Sequence, residues 1–167
     1  MRTAKSILIC LAVIAACGFS GPADGPGQTP SDSNILYSAK DSGSFNNCEY
    51  VFQGDTIKIY ANDSSDPGVY FNKIDKDVSS YKYFKFAIKG KLIREGQWCF
   101  PIVQVFDEKD DDYTPSITKT SFSFNDSDFT TISVPLDGKL KRLAKIQFLL
   151  VTDKGSWNIE VKDPQLE

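Results

Sequence analysis

Between Ile35 and Lys162 the apolar residues recur at every second position, in runs too short for a helix, and turn-forming residues interrupt each run. A period of two is the signature of a strand with one buried face. The cleanest case is Tyr83 to Lys89 (YFKFAIK), which sets Phe84, Phe86 and Ile88 inward and Tyr83, Lys85 and Lys89 outward. Thr56 to Tyr60 (TIKIY) puts Ile57 and Ile59 opposite Lys58 and Tyr60, and Val69-Tyr70-Phe71 puts Tyr70 opposite two apolar residues. Trp98 to Asp107 is apolar on both faces, which predicts a central strand covered on both sides. Within it a buried glutamine would need partners, so Gln104 is placed outward, on the parity of Trp98, with Val103 and Val105 inward. Short strands are also expected at Ile35-Leu36-Tyr37, Tyr50-Val51-Phe52, Phe122-Ser123-Phe124 and Thr130 to Leu136. Lys145 to Thr152 and Trp157 to Lys162, joined by Asp153 to Ser156, read as a hairpin. No amphipathic helix of normal length is present; Leu140 to Lys145 has room for one turn. About nine or ten strands with turns between them predict an all-β antiparallel sandwich over residues 35–167. Trp157 is expected at the core edge.

What the chain lacks narrows its chemistry. There is no histidine, which removes Ser-His-Asp and Cys-His triads and the zinc sets that need an imidazole. Glycosidase chemistry needs two positioned carboxylates roughly 5–10 Å apart, and no acid stands in an unusually apolar neighbourhood. The expectation is a protein that binds and does not catalyse, without a cofactor. The formal net charge is −3, and no basic footprint for nucleic acid is evident. The acidic run Asp107, Glu108, Asp110, Asp111 and Asp112 has enough oxygens to attract calcium but lacks the spacing and glycine of an EF-hand loop, so a solvated loop is expected.

Residues 1–16 read as a secretory signal peptide. Arg2 and Lys5 supply the charge, Ser6 to Ala16 is almost wholly apolar, and Ala15 and Ala16 are the small residues at its end. The apolar run falls short of the roughly 20 residues a membrane span needs. Ile14-Ala15-Ala16-Cys17 resembles the lipobox of bacterial lipoproteins. The resemblance implies that Cys17 carries the lipid, fatty acids such as palmitate included, and becomes the anchored N-terminus. Gly18 in place of an aspartate implies the outer membrane. Loss of Arg2 and Lys5 with the signal takes the formal charge from −3 to −5. Residues 17–34, rich in Gly, Pro, Ser and Asp, form a tether with too little apolar surface to fold. An exported protein keeps disulfides, and the even pair Cys48 and Cys99 is expected to form one, with two buried thiols as the alternative.

Three segments carry a second resemblance. Asp77-Val78-Ser79-Ser80-Tyr81 leads into Phe84 to Gly90, Phe129 to Leu136 precedes Ala144 to Phe148, and Gly155 to Asp163 closes the chain. This order resembles the galactose-binding-like jelly rolls, including carbohydrate-binding modules of glycan-degrading systems. The resemblance implies a glycan or polysaccharide as partner. The family often ends on paired aspartates; here Lys162-Asp163 stands instead, which leaves Asp163, alone or with Asp41, as the remaining calcium candidate. Exposed aromatics stack on sugar rings while amides and charges bind hydroxyls, so the glycan is expected on Tyr60, Tyr70, Tyr83, Trp98 and Gln104, the outward residues of their strands. The competing expectation is a structural lipoprotein whose sandwich binds an envelope or host protein.

Overall fold

The computed structural model describes residues 32–33, 35–94, 98–110, 114–136, 138 and 140–167. The signal, Cys17, most of the tether, Asp111 and Asp112 lie outside them. Among these residues, twelve antiparallel strands form two six-stranded sheets. In chain order they are β1 (Asp32–Ser33), β2 (Asp41–Phe45), β3 (Cys48–Gln53), β4 (Thr56–Ser64), β5 (Gly68–Asn72), β6 (Lys76–Asp77), β7 (Tyr83–Arg94), β8 (Cys99–Asp107), β9 (Ile117–Thr120), β10 (Thr130–Pro135), β11 (Arg142–Thr152) and β12 (Gly155–Leu166). Sheet A has the order β10-β7-β12-β4-β3, with β1 on β12; sheet B has β2-β5-β11-β8-β9, with β6 on β11. Among the described residues no helix is long and apolar enough to cross a membrane.

The alternating positions form the core between the sheets. Ile57, Ile59, Val69, Phe71, Phe84, Phe86, Val103 and Val105 are all buried, none more than 1% exposed. An edge-to-face pair links the layers, Phe86 of sheet A meeting Phe148 of sheet B at 5.1 Å and 89°, and within sheet B Phe148 meets Phe71 at 6.4 Å and 84°. Trp157 belongs to this core at 2% exposure. Its indole N–H has no partner at bonding geometry.

Several expectations are corrected. Ile35–Ser38 is a 3-10 turn, not a strand. Its Ile35 and Leu36 plug the core at 4% and 1% exposure. Phe122 to Phe124 is irregular; Phe122 is held by its ring contact with Phe86 rather than by a ladder. Leu140 to Lys145 is no helical turn, because Arg142 onward pairs with β6 and β8. The strand at Trp98 to Asp107 is penultimate in its sheet, not central.

The expected disulfide is absent: Cys48 and Cys99 are buried free thiols. Cys48 starts β3 in sheet A and Cys99 starts β8 in sheet B, each packed as a small apolar residue in the core. Burial pushes the Cys48 thiol up to about 11, partly offset by the nearby Trp157 indole and assisted by the charge of Glu49. It is therefore a poor nucleophile at neutral pH.

The acidic loop is braced by its own carboxylates. Asp107 is 9% exposed, and its Oδ2 accepts the backbone N–H of Lys141 at 2.9 Å and of Arg142 at 3.2 Å. Its Oδ1 accepts that of Lys109 at 3.3 Å, while Asp110 Oδ2 accepts those of Asp107 and Ser116, both at 2.8 Å. Burial alone would raise the Asp107 carboxyl, but these donors and the Lys109 charge outweigh it and hold it below the usual carboxylate range. A depressed folded-state pKa contributes stability that is present above the unfolded value of about 3.9 and lost as pH falls through the folded one. Asp107→Asn should therefore lower the melting temperature at pH 7, with the difference from wild type shrinking as pH drops below about 4. A difference that stays constant from pH 7 to pH 2 would show that the charge is not what matters. Asp41 and Asp163 stand in different sheets and pair with Lys73 at 3.4 Å and Lys162 at 3.6 Å. Among the described residues no three acid or thiol side chains converge as a metal site.

Candidate carbohydrate-binding face

The outward residues divide between two surfaces, because strands of equal parity fall in different sheets. Tyr70 on β5 and Gln104 on β8 share the outer face of sheet B. Register links them through Gln147 of β11 and continues to both edges, giving one transverse row: Gly43, Tyr70, Gln147, Gln104, Thr118. Gln147 Nε2 donates to Gln104 Oε1 at 3.1 Å, which fixes both amides.

Glycine sets the aromatic surface. A Cβ on Gly43 would lie 2.6 Å from Tyr70 Cζ, so the outer half of the Tyr70 ring lies across the bare backbone of β2. Phe45 does the same to Gly68: a Cβ there would lie 2.9 Å from Phe45 Cε1. Two rings are thus pressed onto the sheet instead of standing out from it, and a side chain at either glycine would lift them. Lys145 Nζ stands 4.4 Å from the Phe106 ring centroid and 5.9 Å from that of Tyr70, placing a cation beside the row. The face therefore offers flat aromatic area, two amides and an ammonium together. Trp98, immediately before β8, is 52% exposed.

Tyr60 and Tyr83 lie elsewhere, on the outer side of sheet A. Tyr60 on β4 is flanked in register by Glu49 and Asn158. Tyr83, 41% exposed, begins β7 opposite Pro135, with Lys85 Nζ 5.7 Å from its ring. Five residues expected on one face thus occupy two. Gln147, Gly43 and Phe45 were not singled out from the sequence. Gln147 had a signal, as the one polar side chain inside the apolar run of β11; Gly43 and Phe45 sit in a segment, DSGSF, that reads as a turn.

The architecture is that of the β-sandwich carbohydrate-binding modules. A family 29 carbohydrate-binding module complexed with mannohexaose superposes with a TM-score of 0.52 at 14% identity, over 75% of this chain and 79% of that one. The family 11 carbohydrate-binding module of a cellulosomal cellulase of Clostridium thermocellum gives 0.50 at 14% identity, over 84% of this chain and 89% of that one. An agarase gives 0.59 at 11% identity; the chain covers only 24% of that enzyme. At these identities the likeness is one of fold. No family model and no curated protein matches the sequence.

Proposed function

We propose that this protein is a non-catalytic, membrane-anchored carbohydrate-binding lipoprotein whose glycan lies on the outer face of sheet B. The observation that carries the reading is the row Tyr70–Gln147–Gln104 with the Tyr70 ring laid over Gly43. A sugar ring stacks on the flat aromatic area; the amides and Lys145 meet its hydroxyls. The neighbours covered over about four-fifths or more of their own length are binding modules, which supports binding over catalysis.

Tyr70→Ala should weaken glycan binding about fivefold or more, taking base–aromatic stacking of about 1–3 kcal/mol as the guide. The check is calorimetry of the full-length protein against soluble polysaccharides, with thermal melts alongside. Trp98→Ala, at an exposed position, should leave the melt within about 0.5 kcal/mol of wild type. Equal affinity of Tyr70→Ala and wild type would place the glycan elsewhere.

The anchor rests on the Ile14-Ala15-Ala16-Cys17 junction. Two acyl chains give stable attachment, at about 0.8 kcal/mol per buried methylene. Cys17→Ser should abolish metabolic labelling by a fatty-acid analogue and release the protein from the envelope, with the outer membrane as its expected place. Labelling that survives in the serine variant would refute lipidation there. The second reading, a protein partner in the envelope or host, is favoured by one feature: edge strand β3 exposes Val51 at 37% and Phe52 at 41%. An envelope protein captured by the wild type and lost in Phe52→Lys, without glycan binding, would favour it.

A further inference from the structure

Sheet A has a groove of about 520 Å³ on its outer side that the sheet B face does not use. Register places one residue from each of four strands in a transverse row along it: Lys91 of β7, Asn158 of β12, Tyr60 of β4 and Glu49 of β3. Three interstrand spacings make that row about 14 Å long. Tyr60 and Asn158 form the floor, Lys91 and Glu49 stand at the two ends, and Ile93, 42% exposed, adds an apolar wall.

The charges on this face are not equivalent. Lys89 pairs with Glu160 at 3.4 Å, Lys162 with Asp163 at 3.6 Å, and Lys85 with Glu167. Lys89 and Lys162 also flank the Phe129 ring, at 4.8 and 4.4 Å. Lys91 has no ion pair among the described residues, and neither does Glu49. Among the described residues the groove thus ends in an unpaired cation on one side and an unpaired carboxylate on the other, with an aromatic ring and an amide between them.

We propose that this groove is a second ligand site, for a short oligosaccharide bearing a single acidic group at one end. The acid pairs with Lys91, a ring packs over Tyr60 and Ile93, and hydroxyls reach Asn158 and Glu49. Glu49 repels a ligand charged along its whole length, so the acid is terminal rather than repeated. A neutral sugar leaves Lys91 without a partner. The site rests on its own geometry and stands whether or not sheet B binds a glycan.

The test uses the full-length protein with cellobiouronic acid, a disaccharide ending in one uronate, and cellobiose as its neutral analogue. Wild type is expected to prefer the acid form, with the preference falling as salt is raised. Lys91→Gln, at an exposed position, should lose roughly fivefold in affinity for the acid form, as expected for one solvent-accessible ion pair, and little for cellobiose. Tyr60→Ala should weaken binding of the acid form, and Tyr70→Ala should leave it unchanged. Melting curves identify any variant that fails to fold, and Tyr60→Leu replaces Tyr60→Ala if needed, since it keeps bulk while removing the ring. Equal affinity of Lys91→Gln and wild type for the acid form overturns the assignment. So does a loss of acid binding in Tyr70→Ala, or no binding of cellobiouronic acid at millimolar concentration.

Discussion

Phe148→Ala is expected to destabilise the fold by about 3–5 kcal/mol, the usual cost of truncating a buried phenylalanine where the surroundings cannot collapse. Phe148 is 1% exposed and joins the two layers, edge-to-face with Phe86 across the sandwich and with Phe71 inside its own sheet. Alanine removes both ring pairs and leaves a cavity walled by rigid strands. For a domain of this size the melting temperature should fall by on the order of 10 °C. Denaturant unfolding measures it: the midpoint should drop with the slope unchanged. A loss under about 1 kcal/mol would mean that the layers do not meet through this ring.

Gly90→Ala should be nearly as damaging, for a different reason. Gly90 has φ +141°, a conformation L side chains rarely adopt. It also sits opposite Ile159 in the β7–β12 ladder, at the centre of sheet A. A Cβ would lie 2.6 Å from Ile159 Cα and closer still to the Asn158 carbonyl oxygen. The obstacles are backbone atoms, so no side-chain rotation relieves them. Strain of about 1–3 kcal/mol from the backbone adds to about 1–3 kcal/mol from overpacking. Gly54→Ala is the control. Gly54 has φ +61°, and nothing lies within 4 Å of a Cβ there, so only the conformational cost remains. If the two variants melt together, the close approach at Gly90 is not what the fold requires.

Parity within a strand is local: the alternation around Phe84, Phe86 and Ile88, or around Ile57 and Ile59, states which side chains go inward, and the structure buries them. Sheet membership is not local. Tyr60 and Tyr70 have the same outward parity, yet β4 pairs with β12 and β5 with β11, so they look out from opposite sides. The successive strands β7 and β8 likewise divide between the sheets. The order of strands depends on pairings between distant segments, which no run of residues records. Strand β2 was missed because Asp, Ser and Gly favour turns; its place at the edge makes Gly43 useful, as the bare backbone on which Tyr70 lies. The cysteine pair was legible as an even count, but packing in the core explains both residues without a bond.

Chemical-shift mapping during a neutral glycan titration tests most directly whether the glycan lies on the outer face of sheet B. Mannohexaose is a suitable first ligand, since a module of this fold has been seen with it. The predicted result is a contiguous set of shifted amides around Gly43, Tyr70, Gln104, Gln147 and Thr118, larger than any shift on the outer side of sheet A. Shifts confined to sheet A or to the loops, or no shift with any neutral glycan tried, would contradict it.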